Sequence, residues 1–398
     1  MTSTTRVVQV QDAARHKLVS EFGVFHNGRL SLPAGVTTTA TASTARSLKD
    51  VVDGWNNLPV RELESGWKFL LLHHDDVVGY IPDVFARAAT WDASLFQRDA
   101  ERKLIRLIPG DKSVEACNEA LVTFCEQNKD CPGFKNGLEP WLRTKHKHDL
   151  DKGALPDYTP LLTCRPEMEG VKAPSPIRGI LGILTSGVHM NTYTLTRDGN
   201  GNEVVDTIWV SYRKSTKKAY GNCYDQIVAG GMDPEDERDP WVTLDREASE
   251  EAGYECEGAR GPVMRRARDS KPVGTIEGFQ TIYYCTKRDA KAGKAEEGHI
   301  EPGVRFCFDL RLDAQQTPRP HETGMDFYQY PVDKIKQSLR DGLWKPNSGL
   351  VMLDFLLRRG LVDSQSDCEA IRKLSTQGAP LDMPEFPTSA WDTWDCMG

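Results

Sequence analysis

No Cys-x-x-Cys pair occurs among the ten cysteines, Cys117, Cys125, Cys131, Cys164, Cys223, Cys256, Cys285, Cys307, Cys368 and Cys396. A zinc ribbon and a dithiol redox motif are therefore unsupported. Cys117, Cys125 and Cys131 cluster loosely, but no histidine has zinc-finger spacing to them. The default is reduced, buried thiols, and the expected location is the cytoplasm. A secretory h-region is also missing, as is any apolar run long enough to span a bilayer, so no membrane partner is expected. There is no basic excess: the formal net charge is −8 and the pI about 5.7. That argues against a nucleic-acid partner, which needs a basic face. An anionic small molecule stays possible, because one local basic pocket suffices to bind it. No internal repeat is found.

What is present is a globular composition, 39% hydrophobic over 398 residues, long enough for two domains. Residues 1–46 read as an extension ending in a Thr/Ala/Ser-rich linker from Thr37 to Ser47. Residues 47–165 read as a small α+β domain. Its signals are a helix from Leu48, a strand from Trp67 to Leu72, an exposed His73-His74-Asp75-Asp76 turn, a strand from Val77 to Ile81, and a helix opened by Pro82. Residues 166–362 read as a mixed α/β domain, with strands over His189–Thr196, Val204–Tyr212, Gly278–Cys285 and Val304–Leu312. Residues 363–398 form a tail, Pro-rich in part, with Trp391 and Trp394; it reads as a lid, a docking strip or a disordered end.

The most informative segment runs from Gly230-Gly231 to Gly253-Tyr254. Asp239 can cap a helix and Pro240 suits its first turn, where an N–H has no helical partner. Trp241, Leu244, Ala248 and Ala252 then form an apolar stripe, and Gly253 fits a left-handed exit. Glu247, Glu250 and Glu251 stand at i, i+3 and i+4, on one face of that helix. Gathering such charge costs energy unless a cation is present, and hard oxygen ligands suit Mg²⁺, with Mn²⁺ as the alternative. Arg246 can pair with one glutamate and hold the others in place.

This segment resembles the Nudix box, the signature of the Nudix hydrolase superfamily. Gly231, Glu237 and the run from Arg246 to Tyr254 match its pattern, with eight residues instead of seven between Glu237 and Arg246. Further segments resemble a fungal and plant subgroup whose Nudix module follows an extra N-terminal domain, and which in fungi is also fused to thiamin pyrophosphokinase. They are Val78-Gly79-Tyr80-Ile81-Pro82, Gly187 to Tyr193, Ile208 to Lys217, Tyr224 to Gly231, and Trp344-Lys345-Pro346-Asn347 leading into a closing helix. The resemblance implies a Nudix α/β/α sandwich with a mixed sheet. It also implies Mg²⁺-dependent cleavage of a small-molecule diphosphate, most readily that of thiamin diphosphate or its oxidised analogues, to the monophosphate and phosphate. Glu247, Glu250, Glu251 and the Gly231 carbonyl are the expected metal ligands.

Glu250, Glu247, Arg246 and Glu322 are the expected catalytic residues. Glu277 and Asp326 are alternative bases to Glu322, because His321 stands where the subgroup has an acid. Arg213 and Lys217 are placed to neutralise the terminal phosphate. Asp225 and Gln226 can bind a base or an amine. His189 and Asn191 alternate on one strand face; they contact substrate, or His189 is a satisfied core residue. Two other readings stand beside the first: a prenyl or other metabolite diphosphate as substrate, and a degenerate module acting as a ligand sensor or scaffold. A monomer and a homodimer are both compatible with the sequence.

Overall fold

The computed structural model describes residues 46–236, 238–258 and 261–384, together with a two-residue pairing of Phe25–His26 with Arg29–Leu30. Most of the expected linker, Glu237, Trp391 and Trp394 lie outside the described residues.

Helix α1, Leu48–Trp55, begins with a capping box. The Asp50 N–H donates to the Ser47 hydroxyl, and the Asp50 carboxylate accepts from the Ser47 N–H at 2.9 Å. Leu48, Val51 and Val52 are buried, against the helices near the chain's C-terminus and away from the small sheet. That sheet comprises β1 (Trp67–Leu71), β2 (Val77–Ile81), β3 (Phe96–Asp99) and β4 (Leu104–Leu107), in the order β2-β1-β4-β3. Helices α2 (Asp83–Ala88), α3 (Val114–Asn128) and α4 (Lys135–Asp151) accompany it. Phe69, Ile105, Leu121, Phe124 and Phe134 share its core, each essentially inaccessible to solvent. The basic run Lys145 to His148 lies on α4.

The second sheet has nine strands and is mixed. They are β5 (Gly187–Arg197), β6 (Glu203–Arg213), β7 (Cys223–Asp225), β8 (Val228–Gly231), β9 (Tyr254–Cys256), β10 (Val263–Arg266), β11 (Pro272–Lys287), β12 (Ile300–Leu312) and β13 (Met325–Pro331). The order is β7-β6-β5-β12-β11-β10-β9, with β8 paired to β5 and β13 to β6. β5 and β12 run parallel, Val188 opposite Phe306.

Helices cover both faces. On one lies α5, Pro240–Ala252, whose Trp241, Leu244, Ala248 and Ala252 pack with Val188, Met190 and Phe308. Fully burying one such side chain stabilises by roughly 1.5–3 kcal/mol. On the other lie α1, α6 (Val332–Arg340), α7 (Pro346–Arg358) and α8 (Gln365–Thr376), packed with Tyr193, Ile208 and Val210. The strand period of two explains the split, since Val188 and Met190 face α5 while Tyr193 meets Phe355 of α7. The architecture is thus the expected α/β fold with a mixed sheet. Helix α8, within the tail, was not named from the sequence. Ser364 caps it, and Ile371 and Leu374 anchor it in the core.

Candidate active site

The site is built at both ends of α5. Pro240 occupies its first turn, and the Trp241 N–H donates to the Asp239 carboxylate at 2.9 Å. At the exit Gly253 has φ +64°, and a Cβ there would come within 2.3 Å of the His321 ring. Only glycine fits this exit without strain.

Arg246 organises the loop before the helix. Its guanidinium donates to both oxygens of Asp236 at 3.1 and 2.9 Å, to Glu247 at 2.8 Å and to the Gly231 carbonyl at 2.9 Å. Asp236 is buried and also accepts from the Thr243 hydroxyl and the Asp233 N–H. The resemblance leaves Glu237 as an outer metal ligand or a partner of this arginine, and Glu237 lies outside the described residues. Asp236, which the sequence did not single out, is brought to Arg246 by the 3₁₀ turn Pro234–Asp236.

The three glutamates differ sharply in environment. Glu247 is largely buried with its carboxyl group against Gly230, where a Cβ would lie only 1.8 Å from the carboxyl carbon. Burial raises its pKa to about 7, against the pull of Arg246 and with a further push from Glu250 and Asp233. Glu251 is buried and accepts the Ala229 N–H of β8 at 2.7 Å. Burial, then the neighbouring Glu247, raise its pKa well above the usual carboxylate range. Glu250 is exposed, with Arg246 at 3.9 Å. Burial likewise raises Asp233, to about 6.

These hard oxygen donors fit a divalent cation in chemistry and in helix face, and two of them are buried at a cost that a cation would offset. In this conformation they do not converge. Among the described residues no group of three His, Cys, Asp or Glu side chains stands ready to hold a metal ion.

Asp225 and Glu322 both lie close enough to Glu251 for their charges to act on it. Glu322 is ion-paired with Lys217. The other acids considered as bases are engaged elsewhere. Asp326 pairs with Lys214 at 2.9 Å, and Glu277 accepts from Tyr193 at 2.9 Å and pairs with Arg311 at 3.0 Å.

Arg213, Asp225, Gln226, His189 and Asn191 come together in one largely buried network. Arg213 and Lys345 approach Asp225 Oδ2 at 3.5 and 3.4 Å, while the Ser348 hydroxyl donates to Oδ1 at 2.6 Å. Burial alone would raise Asp225; Lys345 and Arg213 outweigh it and hold the carboxyl below its usual pKa. Gln226 Oε1 bonds His189 Nδ1 at 2.8 Å, and Gln226 Nε2 donates to Asn191 at 3.3 Å. Asn191 in turn donates to Asp309 at 3.0 Å. Burial lowers the His189 pKa to about 3, so the ring is neutral. Of the two readings of His189, the observed position is that of a buried, hydrogen-bonded core residue. Lys345 and Ser348 were not singled out from the sequence, although Lys345 lies within the Trp-Lys-Pro-Asn run.

No family model matches the chain. It is 27% identical over 274 residues to Nudix hydrolase 20, chloroplastic, of Arabidopsis thaliana, covering 62% of this chain and 63% of that protein. Nudix hydrolase 24, chloroplastic, of the same plant is 26% identical, covering 49% of this chain and 45% of that one. An uncharacterized protein of Saccharomyces cerevisiae is 26% identical over 209 residues, covering 52% and 56%. The chain thus spans less than two thirds of the length of these relatives. A solved NUDIX hydrolase from Nitrosomonas europaea aligns with TM-score 0.25 at 14% identity, over 45% of this chain and 97% of that one, too distantly to support an argument. By sequence the chain is therefore similar to plant Nudix hydrolases over about half to two thirds of its length. Among the described residues no helix is long and apolar enough to cross a membrane.

Proposed function

We propose that the protein hydrolyses a diphosphate bond of a small metabolite, with Mg²⁺ or Mn²⁺ held by Glu247, Glu250, Glu251 and the Gly231 carbonyl. The observation that carries this reading is the pair of buried box carboxylates, Glu247 and Glu251, on one face of α5 beside Asp225 and Glu322. A divalent ion bound there supplies charge neutralisation and a water of lowered pKa. The chain's own residues do the rest. Arg246 orients Glu247 and the Gly231 carbonyl; Arg213 and Lys217 neutralise phosphate oxygens; Glu250, exposed, or Glu322, released from Lys217, takes the proton of the attacking water.

The preferred substrate is thiamin diphosphate or its oxidised analogues, and the preferred location is the cytoplasm. The subgroup resemblance supports this substrate, and the similarity to two plant Nudix hydrolases supports the reaction class. A panel of thiamin diphosphate, oxythiamin diphosphate, a nucleoside diphosphate sugar and a prenyl diphosphate tests it. Phosphate release should be greatest with the thiamin-type compounds. Release greatest from the prenyl compound would overturn that preference. No release from any, with tight metal-independent binding of one, would replace the hydrolase by a ligand sensor.

A further inference from the structure

Asp225 is surrounded by more positive charge than it can balance. Arg213 and Lys345 share one of its oxygens at 3.5 and 3.4 Å, longer than a well-formed charge-assisted bond. The other oxygen is taken by the Ser348 hydroxyl and the Gln226 N–H. His189, 4.0 Å away, is neutral. The next cation, Arg305, belongs to Glu301, which Arg288 also shares. The Arg213 guanidinium is itself underused, since its buried Nε has no hydrogen-bond partner among the described residues.

The helix geometry adds to this excess. Lys345 is the residue before α7, a helix of 13 residues with neither a side-chain cap nor an acidic residue in its first turn. The positive end of the helix thus adds to the same cluster. Asp225 is 1% exposed, whereas the Lys345 and Arg213 side chains are 20% and 15% exposed. The carboxylate is thus more deeply buried than the two cations beside it, and burial, against the pull of Asp225, lowers the Lys345 pKa from its ordinary value. An ammonium group has three N–H donors, and Asp225 accounts for one at most.

We infer that Lys345 is a phosphate-positioning residue, which with Arg213 and the start of α7 holds an oxyanion of the substrate beside the box carboxylates. Asp225 keeps the two cations together and sets their separation. Asp225 stands four residues before Ala229, whose N–H donates to Glu251 at 2.7 Å, which places this anion site near the box. The identity of the anion as a diphosphate rests on the hydrolase reading; the site itself rests on the charge excess.

The test uses the full chain with Lys345→Met and Lys345→Arg, and inorganic diphosphate as the probe, titrated calorimetrically without metal. Lys345→Met should weaken binding about 10-fold or more, the range of one hydrogen bond to a charged group, and Lys345→Arg should recover most of it. Km for the metabolite diphosphate should rise in parallel with little change in kcat. The unfolding midpoint should hold, because Asp225 keeps Arg213, Ser348 and Gln226. A wild-type protein that does not bind diphosphate, or a Lys345→Met variant that binds equally well but unfolds more easily, would overturn the inference. Binding that depends on Lys345 in a protein without turnover would sustain this site and sink the hydrolase reading.

Discussion

Arg246 grips both carboxylate oxygens of the buried Asp236, ten residues earlier in the chain. This ion pair ties the 3₁₀ turn to α5 and leaves the guanidinium aimed at Glu247 and the Gly231 carbonyl. Removing one partner of a buried pair strands the other charge. Asp236→Asn should therefore lower stability by about 2–4 kcal/mol, read from urea unfolding. A change within about 0.5 kcal/mol, the size of an ordinary surface substitution, would show that the arginine is held by other means.

Gly230 tests the position of Glu247. A Cβ at residue 230 would overlap the Glu247 carboxyl group, which is the end of a flexible side chain. Gly230→Ala should displace that group at little cost in stability, while phosphate release falls at least ~10-fold, as expected when a catalytic group is misplaced. Full activity in this variant would remove Glu247 from the machinery.

Much of this site could be read in the chain, for identifiable reasons. Asp239, Pro240 and Gly253 punctuate α5 so strongly that its span and glutamate face followed directly. Four of the nine strands, β5, β6, β11 and β12, were read from the sequence, being long apolar runs; the others, mostly of three or four residues, were not named. Asp236 was missed because a 3₁₀ turn brings it to Arg246, and spacing counts cannot see that turn. Lys345 was missed because it reaches Asp225 across 120 residues, through the bridge that sets Trp344 beside Tyr224. Helix α8 was missed because its sequence, Gln-Ser-Asp-Cys-Glu-Ala-Ile-Arg-Lys-Leu-Ser-Thr, is mostly polar and shows the core only a narrow stripe.

Thr192 is fully buried and its hydroxyl has no partner among the described residues. An unsatisfied buried group costs about 1–3 kcal/mol, and valine has the same shape without it. Thr192→Val should raise stability by about 1 kcal/mol, read from the denaturation midpoint. A loss of stability would mean that an ordered water satisfies the hydroxyl.

The buried ionisable groups predict opposed pH dependences. Burial holds His189 at about 3 and His299 at about 4, below the unfolded value of about 6.5. Their contribution is complete above pH ~6.5 and is lost as the pH falls towards those folded values. Glu247, raised to about 7, has the opposite sign: its contribution grows as the pH falls from ~7 towards ~4.5. Without metal, Glu247→Gln should therefore lose about 2 kcal/mol more stability than the wild type between pH 7 and pH 5. Equal losses in the two proteins would show that Glu247 is not raised.

The most direct measurement is phosphate release from thiamin diphosphate by wild type and by Glu250→Gln and Glu251→Gln, with Mg²⁺ and with EDTA. The account predicts turnover that needs the metal and falls at least ~100-fold in both variants, the scale of losing a group that acts in the transition state. Turnover that survives EDTA, or variants as active as the wild type, would contradict it.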